Sequence, residues 1–251
     1  MSITHRSLLK SGRKRNLRGF SLVEMMVVLS IASILSLLVS AGFQSIMGTA
    51  YDSETSDIAN TLIRARAYAM ANNTYVFVGI QEVDASKAST ATQAAGTGRV
   101  GVTVVASNDG TRGYTTTAPG ALTATGLTVV SPLRHYDNLH LSTTSGIANL
   151  PNASSGTSYN AASSSSLTTF TWPLGSASPQ YPTFGSNGTI IQFNPQGEAQ
   201  IVNSANTDSI LQWIEIDFIP SHGSNTSGST TKNPATILID GASGSVSTYR
   251  A

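Results

Sequence analysis

Arg18-Gly19-Phe20-Ser21-Leu22-Val23-Glu24-Met25-Met26-Val27-Val28-Leu29 opens the stretch whose reading decides the fold. The apolar run continues through Ile31, Ile34, Leu35, Leu37, Leu38 and Val39 to Phe43, and no charge stands between Glu24 and Asp52. A helix of about 20 residues, rising ~1.5 Å per residue, spans a hydrocarbon core of ~30 Å. Residues 20–43 are therefore expected to form a membrane-spanning helix. Before them stand Arg6, Lys10, Arg13, Lys14, Arg15 and Arg18, with no acidic residue among positions 1–19. Such a bias keeps the leader in the cytoplasm and sends the carboxy-terminal part across. A plain single-span anchor fits these facts. So does a secretory signal cut after Val39-Ser40-Ala41.

Glu24 separates these readings from a third. A carboxylate in a membrane span costs roughly 2.5–3.5 kcal/mol on insertion scales, so it calls for a partner. The string from Arg18 to Glu24 resembles the cleavage and methylation motif of type IV pilins and pseudopilins, with Gly, an aromatic residue and Glu at fixed offsets before an apolar helix. The resemblance implies that a prepilin peptidase/methyltransferase removes residues 1–19 by cutting after Gly19 and methylates the new amino-terminal Phe20. It also implies that Glu24 is the counter-ion of a Phe20 ammonium, that of a neighbouring subunit in the filament. A cation at a helix amino terminus opposes the macrodipole. Two unit charges about 4 Å apart attract by about 4 kcal/mol at an effective dielectric of about 20.

Composition narrows the function classes. Only 11% of the 251 residues are charged, well below the usual quarter, while Gly, Ser, Thr, Asn and Ala abound. The absence of cysteine excludes disulfides, thiolate metal sites and thiol catalysis. The formal charge of +1 is uneven: without the leader, 8 basic residues face 13 acidic ones, a net −5. Phosphate-backbone binding needs a clustered basic footprint, so no nucleic-acid partner is expected. No nucleophile elbow, phosphate-cradling glycine loop or H-E-x-x-H helix occurs, so neither an enzyme nor a cofactor is expected. His135, Asp137 and His140 are the nearest approach to a ligand cluster, but on a strand His140 would leave the face shared by the other two. They read as a polar strand end or loop, and Trp172 and Trp213 as packing residues.

Beyond the span the helix is expected to run on to Asn72-Asn73, giving one helix over 20–72. Ile58, Leu62, Ala65 and Ala69 recur at spacings of four, three and four and form one apolar face, on which a head over 74–251 would pack. Arg64 and Arg66 fall off that stripe. Strands are expected at 74–80, 99–106, 127–131, 190–193, 199–202, 211–219, 235–240 and 245–248, with Gly/Asn/Pro turns between. In 211–219 (LQWIEIDFI), Ile214, Ile216 and Phe218 take one face and Glu215 and Asp217 the other. The fold class is therefore α+β: a long amino-terminal helix packed on an antiparallel β-sheet head. Segments 142–189 and 223–233, rich in Ser, Thr, Gly and Asn, read as a long surface loop or partly disordered insertion and as a second loop.

The strand order, the segment Ile191-Gln192-Phe193-Asn194-Pro195-Gln196-Gly197 and the final hairpin resemble the minor pseudopilin of type II secretion known by the letter H, and the minor pilins of type IV pili. The stretch 64–73 is similar to pilin-like proteins encoded in verrucomicrobial gene cassettes. These resemblances imply a pilin-like head outside the cytoplasm, an inner-membrane anchor, and assembly with other pilin or pseudopilin subunits. The alternative is a pilus-borne binding module, an adhesin or DNA-uptake receptor; Arg250 alone near the carboxy terminus is a poor basis for the latter.

Overall fold

The computed structural model describes residues 21–251 except 116, 118, 138, 145, 152–157, 163–165, 187, 203–209, 211–212 and 225–232, and over 37–49 and 158–159 the backbone alone. An amino-terminal helix is followed by two largely antiparallel sheets, the α+β class expected. The chain divides into two compact units, Met1–Ser45 and Ile46–Ala251. Helix α1, Leu22–Asn72, contributes to both.

Within the second unit α1 supplies the apolar face foreseen above: Ile58, Leu62, Ala65 and Ala69 are fully buried, joined by Tyr51 and Thr55 a turn or two earlier. The helix stops where the asparagines stand. Asn73 takes a left-handed conformation (φ 49°), and the Thr74 amide donates back to the Ala69 carbonyl at 3.1 Å. This is the Schellman closure, which captures a carbonyl left without an intrahelical donor. A left-handed residue with a Cβ costs about 1–2 kcal/mol, which asparagine offsets better than alanine. Asn73→Ala is therefore expected to lower stability by about 1 kcal/mol and Asn73→Gly to preserve it. Thermal unfolding midpoints compare the two.

The first sheet contains β1 (Val76–Asp84), β2 (Gly98–Ser107), β3 (Leu127–Tyr136), β6 (Thr189–Phe193) and β7 (Ala199–Ile201), in the order β3-β2-β1-β6-β7, all antiparallel. The second contains β4 (Leu139–Ser142), β8 (Trp213–Pro220), β9 (Ala235–Asp240) and β10 (Val246–Arg250), in the order β10-β9-β8-β4. β5 (Ser158–Asn160) joins β8 in parallel and is the exception to the antiparallel rule. One core forms where the buried stripe of α1 meets alternate residues of both sheets: Val78 and Ile80 of β1, Val102 and Val104 of β2, Ile216 and Phe218 of β8, and Ile237 of β9. Period-two alternation sends the intervening residues to the opposite faces.

Those opposite faces are not open. Phe77, Val105 and Ile190 of the first sheet pack in a second core with Leu122, Phe170, Tyr181 and Phe184. The rings of Phe170, Phe184 and Tyr181 stack in series, with centroids 5.2 and 6.1 Å apart. They lie on two glycines: a Cβ at Gly79 would meet Phe184 and Phe170, and one at Gly101 would meet Tyr181. The expectation of a surface loop over 142–189 is thus corrected: its second half covers a sheet face, and in its first half β5 pairs with β8 and Ala161 is buried in the first core. The segment has few large apolar residues, but aromatic side chains bury ~150–250 Å² each, so three suffice.

On β8, Asp217 takes the face opposite Ile216 and Phe218, yet it too is buried, 1% exposed. Asn160 donates to its Oδ2 and Thr236 to its Oδ1, both at 2.5 Å. Desolvation pushes this carboxyl up to about 8; the Thr236 hydrogen bond opposes the rise and the neighbouring Glu215 adds to it. A folded-state pKa above the ordinary value of about 3.9 means that folding takes up a proton. The stability this group contributes is complete below pH ~4 and is lost as pH rises towards about 8. Asp217→Asn should therefore flatten the decline in unfolding midpoint between pH 4 and 8. An unchanged slope would show that the carboxyl titrates normally.

Candidate processing and assembly segment

Gly19 and Phe20 lie outside the described residues. Glu24 is described: it stands in the first turn of α1 and is exposed. The helical hydrogen bonds begin with the Met25 amide donating to the Ser21 carbonyl at 3.1 Å. Ser21 is therefore the residue before the first turn and Glu24 the third inside it, the spacing of a capping box. A carboxylate there also faces the positive end of the helix dipole. The spacing is present in Ser21-x-x-Glu24, but among the described residues neither side chain makes a capping hydrogen bond.

Every large apolar side chain from Leu22 to Leu35 is more than half exposed, with no side of the helix spared. A helix apolar all round belongs inside a core, a bilayer or a bundle of other helices. Three of its hydroxyls are satisfied internally: Ser30, Ser33 and Ser36 donate to the carbonyls of Met26, Leu29 and Ala32 at 2.7–2.8 Å. Hydroxyls bonded in this way cost less to bring into an apolar medium. Among the described residues no helix is long and apolar enough to cross a membrane. The expected span of 20–43 is described as side chains only over 21–36.

Polar residues off the apolar stripe tie the second unit's part of α1 to strands far away in sequence. Asp57 accepts hydrogen bonds from Arg134 Nη1 and the Tyr136 hydroxyl of β3, each at 2.7 Å. Burial raises the Asp57 carboxyl, but these two hydrogen bonds together with the positive charges of Arg134 and Arg64 leave it below the ordinary carboxylate range. Asp52 pairs with Arg250, which also donates to the Asp52 carbonyl at 3.0 Å. The Tyr51 hydroxyl donates to the Phe218 carbonyl at 2.9 Å. Arg66 Nε reaches the Gly197 carbonyl at 3.3 Å. None of these pairings had a local sequence signal. Arg250, the residue weighed for a nucleic-acid role, is engaged by the protein itself.

The weak ligand cluster is dispersed. His135 stacks beside Tyr181, Asp137 pairs with Arg99, and His140 Nδ1 lies 2.7 Å from Glu82 Oε1. Glu82 also accepts the Gly98 amide at 2.6 Å and the Leu141 amide at 3.3 Å, so it links β1 to β4. Trp172 packs against the second core, and Trp213 is half-buried outside both.

Residues 14–40 match the profile of the prokaryotic N-terminal methylation motif. No curated protein and no solved structure gives a significant match to the chain. The matched residues contain Gly19, Phe20 and Glu24 at the offsets read above and reach well into the apolar half of α1. Across residues 14–40 the chain carries the signature of type IV prepilins and pseudopilins.

Proposed function

We propose that the chain is a minor pilin or pseudopilin, a structural rather than catalytic subunit of a type IV pilus or type II secretion filament. In this reading prepilin peptidase cuts after Gly19 and methylates the Phe20 amine. The first half of α1 then holds the subunit in the inner membrane and later packs among the helices of neighbouring subunits. The head, pilin-like, stands outside the cytoplasm, and no nucleic acid is a partner.

The observation that carries this reading is the unbroken apolar exposure from Leu22 to Leu35, with one carboxylate at its amino-terminal end inside the methylation motif. Burying a large aliphatic side chain is worth about 1.5–3 kcal/mol, so such a helix is strongly drawn to lipid or to other apolar helices. Bilayer and filament both supply that medium, and Glu24 offers an ammonium its partner in the second. The second half of the helix is anchored by the head core and by the Asp52, Asp57 and Arg66 contacts, so force on the helix would be shared with both sheets.

Loss of the prepilin peptidase in the producing cell tests the proposal. The chain should then accumulate in the membrane fraction at full length and vanish from filaments sheared off the cells. Its continued presence in sheared filaments at full length would contradict the reading.

A further inference from the structure

We propose that the cleft between α1 and β3 is a carboxylate-binding site in which Arg64 supplies an exposed guanidinium and Arg134 a pre-oriented one. The cleft encloses about 140 Å³ and is lined by Thr61, Arg64 and Ala65 of the helix and by Val104, Val130, Ser131 and Arg134 of the sheet.

The two arginines differ in what holds them. Arg134 donates to Asp57 at 2.7 Å, and Asp57 is fixed in turn by the Tyr136 hydroxyl. Arg64 is exposed and makes no hydrogen bond or ion pair among the described residues. The cluster of Arg64, Arg134 and Asp57 therefore carries a net positive charge. A guanidinium presents its donors in a planar fork that matches a carboxylate.

The remaining lining selects among oxyanions. Ala65, Val104 and Val130 form an aliphatic floor suited to methylene groups, and the Thr61 and Ser131 hydroxyls line the same cleft. This lining suits one carboxylate on a short aliphatic stem. The stem and head group of a glutamate side chain fit that description, and so does a free dicarboxylate. The processed chain, at net −5, carries 13 acidic residues against 8 basic ones. A second subunit in a filament is therefore one source of the carboxylate.

The site does not depend on the filament reading, and its first test needs no assembly. Glutarate is titrated into the full processed chain in detergent micelles at constant ionic strength, with the arginine Nε–H signals followed by NMR. Saturable shifts of Arg64 and Arg134 are expected, with glutaramide giving none and Arg64→Gln lowering the affinity at least tenfold. Non-saturable shifts, equal binding by Arg64→Gln, or a preference for inorganic phosphate over glutarate would overturn the proposal. The second arm identifies the source. Arg64→Lys in assembled filaments, treated with a water-soluble carbodiimide, should form an amide between Lys and a carboxylate of another subunit. Saturable glutarate binding without that cross-link would support the site and assign it a free carboxylate instead.

Discussion

Glu24→Ala is expected to leave cleavage and membrane insertion intact while reducing incorporation into filaments at least tenfold. Glu24→Gln should do the same. The pair of variants matters because Glu24 has two roles open to it. At the third position of α1 it can cap its own helix, and glutamine serves a capping box as well as glutamate does. Only the carboxylate can neutralise an ammonium. A neutral residue in its place leaves the methylated amine of Phe20 without a counter-ion in a medium of low dielectric, where an unpaired charge costs several kcal/mol. Quantifying the subunit in sheared filaments, against its level in the membrane, reads the effect. If Glu24→Gln assembles normally and Glu24→Ala does not, the capping role suffices and the counter-ion is unnecessary.

The second large effect concerns the head. Phe184 sits at the centre of the ring stack, fully buried between Phe170 and Tyr181 and directly on Gly79. Phe184→Ala should cost about 3–5 kcal/mol of stability, as a buried Phe→Ala change usually does. At roughly 2–4 °C per kcal/mol for a domain of this size, the unfolding midpoint should fall by about 6–20 °C. Leu167→Ala, at a partly exposed position of the same insertion, is the matched control and should change little. Gly101→Val should act in the same direction as Phe184→Ala by displacing Tyr181, through the overpacking penalty of about 1–3 kcal/mol. Equal midpoints for Phe184→Ala and the control would show that the insertion is a solvated spacer after all.

What the sequence revealed follows from the range of the forces involved. The helix over the second unit was legible because its stripe repeats at the helical period, and its end because Asn72-Asn73 is a local stop. Eight strands were legible as β-branched and aromatic runs between turns, with ends displaced by a few residues. β4 and β5 were missed because four and three residues carry too little pattern to stand out. The burial of Asp217 was not legible because alternation gives only the face, and the outer face of the second sheet is buried at that point. The aromatic cover was missed because Phe170, Tyr181 and Phe184 follow no helical or strand period. The candidate processing site was the most legible part, since its chemistry depends on residues at fixed local offsets. Asp57–Arg134 and Asp52–Arg250, by contrast, join residues 77 and 198 positions apart, and nothing local announces them.

The carboxylate cleft extends the same lesson. Arg64 falls off the apolar stripe, and in sequence nothing distinguishes it from a solvated cation. Its significance arises only because β3 places Arg134 on the same cleft and Asp57 takes up one of the two charges.

Mass spectrometry of the native protein's amino terminus tests the central claim most directly. The processed chain should begin at Phe20 and carry one methyl group on its amine. A chain that retains residues 1–19, or one that begins at Gly42, would contradict the account.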